Sequence, residues 1–400
     1  MLKIGEAEAR AAARVIRSGE LFRYGDAQPN YLGECAKFER ELATKMGTKY
    51  ALVVTSGTAA LICGLVGLEV GPGDEVIVPG YTFMATALAP LALGAVPVLA
   101  EIDESLTMDP EDLEAKITDR TKAIIPVHML GLPADMDATM RLARRHNVAV
   151  LEDACQADGG SYKGRRLGSI GDAGTFSFNY YKNVTCGEGG AIITGDRAAY
   201  ERAWIHHDGG ATFRAQAGDI SVPFFAGWNF RMNEILGAVL RVQLRRIDGL
   251  LQKTRTHKRR LIEGLADHPR LRFFKHNDHE GGCGTTLGFL FEDEETARAF
   301  VTGLESEGVE ASMLIDSGRH VYSNWEPLMQ LRGSYHPSLD AFRRPENAAS
   351  QARYTPDMCP RTLDILSRAV VLSIQPEWRA ADVRKRVRAC RKAADALARR

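Results

Sequence analysis

The sequence has no surplus of either charge. Lys and Arg together number 51, as do Asp and Glu, so the formal net charge is zero. That balance argues against a general binder of nucleic acid, while leaving room for a local basic patch. Cysteine pairs of the C-x-x-C kind are also missing. The seven cysteines, at 35, 63, 155, 186, 283, 359 and 390, are odd in number. A disulfide framework or a structural zinc site is therefore not expected, no metal is assigned, and a reducing, cytoplasmic compartment fits. No run of about 18 apolar residues occurs, so no membrane span is expected. The opening stretch, MLKIGEAEARAAARVIRSGE, is an amphipathic helical pattern with no apolar leader core, which argues against export. Internal repeats and low-complexity tracts are lacking. So are the two nucleotide signatures, G-x-x-x-x-G-K-[ST] and a G-x-G-x-x-G after the first strand.

What is present is an ordinary globular composition, 45% hydrophobic and 26% charged, on a chain long enough for two domains. From about residue 38 to 240, short apolar runs alternate with helical patterns. The runs are YALVV (50–54), EVIVPG (75–80), VPVLAEI (96–102), KAIIPVHML (122–130), VAVLEDA (148–154), DAGTFSF (172–178) and GGAIITG (189–195). Runs apolar on both faces suit strands buried between helical layers. The repetition predicts an α/β domain with a mostly parallel sheet. From about 230 a long helical stretch leads into alternating segments and a basic amphipathic helix at the C-terminal end. This predicts a smaller α+β domain. The polar, Pro-containing stretch 330–360 reads as a long loop.

Ligands of parallel sheets gather at the carboxyl ends of strands, so the residues just past each run are the candidates. After YALVV come Ser56, Gly57 and Thr58, ahead of a helix. Free backbone N–H groups and hydroxyls there suit an anion, although a plain Ser/Thr cap has the same pattern. After EVIVP comes Phe83, which can stack on a flat ligand or pack in the core. Asp153 ends VAVLED, and a carboxylate there is costly unless paired; Gln156 lies one turn on. His128 follows KAIIPV. Lys182 follows an aromatic run and precedes Gly187, Gly189 and Gly190. An anion clamp, a ring stacker, a strand-end carboxylate and a lysine are the set that pyridoxal 5′-phosphate requires. Its phosphate needs donors, its ring an apolar face, its pyridinium an aspartate and its aldehyde an amine.

The blocks SGTAAL, VIVPGYTFMATA, LEDACQADGGSYKGRRLGSIGDAGTFSFNYYKNVTCGEGGAIIT and GWNFRMNEILGAVLRVQL resemble those of the fold type I sugar aminotransferases, the DegT/DnrJ/EryC/StrS family. The similarity covers roughly residues 15–250 and weakens beyond. It implies a large α/β domain, 1–245, that binds pyridoxal phosphate, and a small C-terminal domain, 246–400. It also implies amino transfer from glutamate or glutamine to a keto or aldehydo sugar, by way of pyridoxamine phosphate, in a homodimer with shared active sites. By the same resemblance Lys182 is the Schiff-base lysine and Asp153 the pyridinium partner, with Gln156 near the ring hydroxyl and Phe83 on the ring. Gly57, Thr58 and Ser177 match the phosphate cup, and Asn229 an asparagine that reaches the neighbouring subunit's phosphate. Arg231, in the same block, is read as structural.

The chain departs from the family in places. Many members have histidine two residues after the serine; here it is Asn179. Relatives with histidine in place of the lysine are dehydratases, and Lys182 argues for transamination instead. LFRYG, VHMLG and HVYSNWEPL look closer to the branch that aminates an eight-carbon ulosonic acid, and cyclitol ketones also fit. Acceptor contacts are accordingly expected at Arg23, Tyr24, His128, Asn179, His207, His320 and Trp325. Arg23 is a candidate grip for a carboxylate. Rival readings are a dehydratase or carbon–carbon bond former on the same fold, or a cofactor-binding regulator without catalysis.

Overall fold

The computed structural model describes residues 4–25 and 28–397. Helices α1 (Glu6–Ser18) and α2 (Glu34–Met46) precede strand β1 (Tyr50–Val54) and helix α3 (Gly57–Gly67). Next come β2 (Glu75–Pro79), α4 (Ala85–Ala92), β3 (Val96–Ala100), α5 (Pro110–Lys116), β4 (Thr121–Ile124), α6 (Met136–His146) and β5 (Ala149–Asp153). A hairpin of β6 (Ser161–Tyr162) and β7 (Arg165–Arg166) leads to β8 (Ala173–Ser177), β9 (Gly190–Thr194) and α7 (Arg197–His207). The long α8 (Glu234–Glu263) is followed by β10 (Arg272–Phe273), β11 (Thr286–Leu290), α9 (Glu294–Ser306) and β12 (Ser312–Met313). The short α10 (Glu326–Met329), α11 (Pro360–Ser367), β13 (Ala369–Ser373) and α12 (Ala380–Ala396) complete the order.

Seven strands form the large sheet in the order β1-β9-β8-β5-β4-β2-β3. Pairs among β3, β2, β4, β5 and β8 are parallel, and β9 is antiparallel to both β8 and β1. Two reversals return β1 to the direction of β8. The carboxyl ends of β1, β2, β5 and β8 therefore share one edge, where β9 begins. A parallel connection needs a crossover of a dozen or more residues, usually helical. The link from β8 to β9 is a compact turn without a helix, so β9 reverses.

Helix α3 explains how this edge is built. Its Ala, Leu, Cys and Gly residues are buried around most of its circumference, as expected of a helix enclosed by protein. At Gly64 a side chain would stand 2.8 Å from Leu151 of β5, and at Gly67 one would stand 2.8 Å from the Ala199 carbonyl of α7. Small residues let α3 lie close on the sheet and carry its N-terminus to the shared edge.

The second sheet is antiparallel, in the order β10-β11-β13-β12. Its core joins Leu287, Phe289, Val370 and Leu372 to Phe300 of α9 and Ala393 of α12. The boundary expected at 245/246 falls inside α8, which is continuous from Glu234 to Glu263. Residues of the C-terminal part also return to the large sheet. Tyr322, Trp325, Leu328 and Ala341 pack with Val76, Val78 and Leu99. The 330–360 stretch holds short 3-10 turns at Pro337–Leu339, Ala341–Arg343 and Pro345–Asn347.

At the end of β5 two acids point to opposite faces, as strand pleating requires. Glu152 is fully buried. It accepts the amides of Gly168 (2.8 Å), Ile170 and Gly171 (2.6 Å) and pairs with His128 Nε2 at 2.9 Å. Breaking such a pair leaves buried groups unsatisfied. Glu152→Ala is expected to lower unfolding free energy by about 3–5 kcal/mol in urea titration. A loss below about 1 kcal/mol, the size of an exposed pair, would refute this role.

Candidate active site

Asp153 emerges on the other face of β5 and is only 4% exposed. Thr86 Oγ1 donates to its Oδ2 at 2.8 Å, and the Cys155 amide donates to its Oδ1 at 3.0 Å. Thr86 has one hydroxyl proton, so its 2.9 Å contact with Thr82 Oγ1 is one in which Thr82 donates. Both oxygens thus accept a hydrogen bond, which fixes the orientation of the carboxylate. Among the described residues no cation lies in salt-bridge range of this carboxylate. The backbone of Asp153 is fixed by the Pro126 carbonyl (2.9 Å) and the His128 amide (3.0 Å).

Lys182 stands on the turn between β8 and β9. Phe178 bonds Gly189 (2.8 Å), Tyr180 bonds Gly187 (2.9 Å), and the Lys182 amide closes on Asn179 (2.9 Å). Gly187 has φ 92°, a conformation that suits glycine. The ammonium field of Lys182 acts on Cys155, Asp158 and His320. These groups come from the end of β5, the segment after it, and the 3-10 turn Ile315–His320. The lysine therefore faces the strand-end cleft. Burial pushes the Cys155 thiol well above its usual range, and the Asp153 charge adds to this. Burial lowers the His320 imidazole, and Lys182 lowers it further.

The third component is the N-terminus of α3. Ser56 caps it by accepting the Ala59 amide at 3.0 Å, which commits that oxygen to the helix. The amides of Gly57 and Thr58 belong to the first turn, where no helical carbonyl is in reach. A Cβ at Gly57 would stand 2.8 Å from Ser177 Cβ and 3.1 Å from its Oγ. One at Gly190 would stand 2.3 Å from the Ser56 carbonyl oxygen. The two glycines let α3, β8 and β9 approach closely, so that the first-turn amides and the Ser177 hydroxyl come together as a small cradle. Such a cradle favours an anion. Phe83 is partly exposed at the mouth, its ring 5.8 Å from that of His320. Gln156 accepts the Leu130 amide at 3.3 Å.

The residues present fit pyridoxal 5′-phosphate. The cradle suits its phosphate, Phe83 its ring, Asp153 a ring cation, and Lys182 its aldehyde carbon.

Five residues expected to contact the acceptor are engaged elsewhere. Arg23 is buried, paired with Glu39 and bonded to the Val53 carbonyl, so it is not free to grip a carboxylate. His128 is fully buried, with Nε2 on Glu152 and Nδ1 accepting the Ala134 amide at 3.1 Å. His207 is fully buried at the end of α7 and its Nδ1 contacts the Trp204 carbonyl at 2.5 Å. A carbonyl only accepts, so Nδ1 donates and Nε2 accepts from Tyr24 Oη, 3.4 Å away. Tyr24 in turn accepts from Trp204 Nε1 at 3.0 Å, which locks it into this chain. Burial pulls His207 down to about 3. Trp325 is a core residue whose Nε1 donates to the Arg319 carbonyl at 2.9 Å.

His320 and Asn179 remain near the lysine. Asn179 Nδ2 donates to Glu188 at 2.9 Å and its Oδ1 accepts the Tyr181 amide at 3.3 Å. Asn229 is exposed and bridges Asp208 just after α7, and Arg231, two residues on, bridges Val54 at the end of β1 and pairs with Asp208 at 2.6 Å. Thr82, Thr86, Glu152 and Asp158 escaped the sequence reading. Thr86 carried one signal, its position three residues after Phe83 at the start of a helix, where side chains share a face.

A mostly parallel sheet that brings a lysine, a carboxylate and a helix N-terminus to one edge is the architecture of fold type I pyridoxal-phosphate transferases. The chain belongs to the DegT/DnrJ/EryC1/StrS aminotransferase family, whose model matches residues 3–391. It is 41% identical over 246 residues to 3-amino-5-hydroxybenzoate synthase of Amycolatopsis mediterranei, covering 61% of each chain. It is 42% identical over 262 residues to dTDP-3-amino-3,4,6-trideoxy-alpha-D-glucose transaminase of Streptomyces venezuelae, covering 65% of each. These alignments span less than two thirds of either relative. A solved 3-amino-5-hydroxybenzoic acid synthase matches with TM-score 0.78 and 31% identity, over 100% of this chain and 98% of that one.

The cradle generates a prediction. Gly57→Ala should raise the Kd for pyridoxal 5′-phosphate at least about tenfold in a fluorescence titration, because the methyl group would push on Ser177 Cβ and Oγ and part that hydroxyl from the helix amides. An unchanged Kd would show that the phosphate binds elsewhere.

Proposed function

We propose that this chain is a pyridoxal-phosphate-dependent aminotransferase that moves an amino group from glutamate or glutamine to a ketone or aldehyde on a polyhydroxylated ring. The observation that carries the reading is Asp153, a buried carboxylate with no cation in salt-bridge range among the described residues, at the strand end whose Cys155 feels the charge of Lys182. When bound, the cofactor supplies an electron sink for the carbanion left at the substrate carbon. The chain's residues do the rest. Lys182 would hold the cofactor covalently, and its Nζ, once free, would take up the proton leaving the donor's α-carbon. Asp153 would pair with the ring nitrogen, its carboxylate oriented by Thr86 and the Cys155 amide. Gly57, Thr58 and Ser177 would anchor the phosphate, and Phe83 would cover the ring. The presence of Lys182 argues against the dehydratase alternative.

The names of the similar proteins favour a sugar or six-membered carbocyclic acceptor. An ulosonate acceptor loses its expected anchor, because Arg23 is already paired. His320 and Asn179 would meet the acceptor at the cleft mouth. A homodimer is part of the proposal. Phe213, Phe224, Phe225 and Trp228 are exposed, Trp228 by 67%, and Tyr180 and Tyr181 are exposed beside the lysine. Large exposed aromatic surface marks an interface, and Asn229 within it would reach the partner's phosphate. A cytoplasmic setting accords with seven free cysteines.

Borohydride reduction of the cofactor-loaded protein should fix the cofactor to Lys182, as read by peptide mass spectrometry. Lys182→Ala should abolish this adduct and reduce turnover at least about a thousandfold. Label on another residue, or full turnover in the variant, would overturn the assignment. Asn229→Ala should weaken cofactor retention, and sedimentation should show a dimer. A fully active monomer would sink the shared-site part.

A further inference from the structure

One buried acid plays no part in the chemistry above. Asp158 is 2% exposed, in the segment that follows β5. Its Oδ2 accepts the Val184 amide in a long contact of 3.5 Å. Its Oδ1 is buried with no hydrogen-bond partner among the described residues. An orphaned buried carboxylate oxygen is costly, and natural structures rarely keep one without a use. Val184 lies two residues beyond Lys182, so Asp158 grips the same turn that carries the lysine. The charge acting on Asp158 is that of Lys182. The backbone position is equally constrained. Gly159 has φ 77°, and a Cβ there would stand 2.7 Å from Ile247 of α8. Cys283 Sγ rests 3.8 Å from the Asp158 carbonyl. The backbone that carries the carboxyl is thus backed by α8 and the segment before β11.

We propose that Asp158 is the positioning residue of Lys182, presenting its free Oδ1 to the amine whenever the lysine is not bonded to carbon. This rests on the reading of Lys182 as the cofactor lysine. A lysine must leave the cofactor, remain within reach of the substrate carbon, and return. A flexible four-carbon side chain beside an exposed mouth would otherwise swing into solvent. A carboxyl beneath it gives the freed amine a second resting place inside the cleft. No bond other than hydrogen bonds forms or breaks between the two residues. Burial pushes the Asp158 carboxyl up to about 8, against the Lys182 charge and the Val184 amide, which lower it. The carboxyl is therefore mostly neutral below that value and charged above it. The other groups facing the pair are Asp153 and Cys155 from the end of β5, Cys283 behind, and His320 across the cleft.

The test reads the lysine directly. The full-length protein is freed of cofactor with hydroxylamine, and Lys182 acetylation by acetic anhydride is timed by peptide mass spectrometry at pH 7 and pH 9. A carboxylate neighbour keeps an amine protonated and unreactive. Asp158→Asn should therefore label about as wild type at pH 7 and roughly tenfold faster at pH 9, one pH unit's worth of protonation. Ratios within twofold of wild type at both pH values would overturn the proposal. So would an acceleration equal at both, which would report only a loosened turn. Asp158→Ser gives the same contrast if the Asn variant fails to fold, as judged by circular dichroism. Borohydride trapping of the wild-type holoprotein is run alongside. Failure to trap at Lys182 counts against the cofactor assignment, whereas the labelling ratio reports the Asp158–Lys182 contact independently.

Discussion

A buried carboxylate with no cation among the described residues is the constraint on which this site depends. Asp153 is held by one hydroxyl and one amide, which offset part of the cost of removing a charge from water. The remainder calls for a positive group from outside the chain. In the proposed reading a protonated aromatic nitrogen would satisfy it, because it is flat, needs one hydrogen-bond partner, and would leave its faces to Phe83. Thr82 and Thr86 serve the same end. With Thr82 donating to Thr86, the Thr86 proton is left for Asp153 Oδ2 at 2.8 Å, the shorter of its two acceptors, the Phe83 carbonyl standing at 3.1 Å.

The aim of Asp153 is set by its neighbour on the opposite face. Glu152 takes three amides and His128, and these bonds exist in one register only. A slip of one residue along β5 would exchange the two acids between faces. Glu152 would then meet the cleft, and Asp153 would be too short to gather the turn at 168–171. The buried network behind the sheet therefore fixes the chemistry in front of it. His128 belongs to that network, which is why a strand-end histidine turned out to have no free nitrogen.

Much of this was legible in the residues. Apolar runs of strand length separated by helical patterns gave the α/β sheet, because burial on both faces leaves a periodic trace. Lys182, Asp153 and the glycines could be placed because each follows a run directly. Arg23, His128, His207 and Trp325 are engaged by partners that the sequence did not mark. The Trp204 and Arg319 carbonyls lie only three and six residues before His207 and Trp325, but a backbone acceptor leaves no mark in the residue pattern. Glu39 and Glu152, the partners of Arg23 and His128, come from elements whose docking no local pattern encodes. Tyr24 is the same case, since its hydroxyl is held by residues of α7 far along the chain. Asp158 was overlooked because its significance lies in a missing bond, and a missing bond has no motif.

The cradle at Gly57 also bears on how the protein matures. Its walls come from the start of α3, the end of β8 and the start of β9, so residues 57, 177 and 190 must meet before it exists. Contacts of such sequence separation form late, after the loops between them have closed. During synthesis the N-terminal half can gather its local strands and helices while β9 is still unmade. An anionic ligand cannot help at that stage, since the pocket it recognises has one wall missing. Binding instead stabilises the finished sheet by mass action. With the phosphate in the cradle as proposed, retention of the ligand would report that the last strand has inserted between β1 and β8, and a chain stalled short of that step would stay empty.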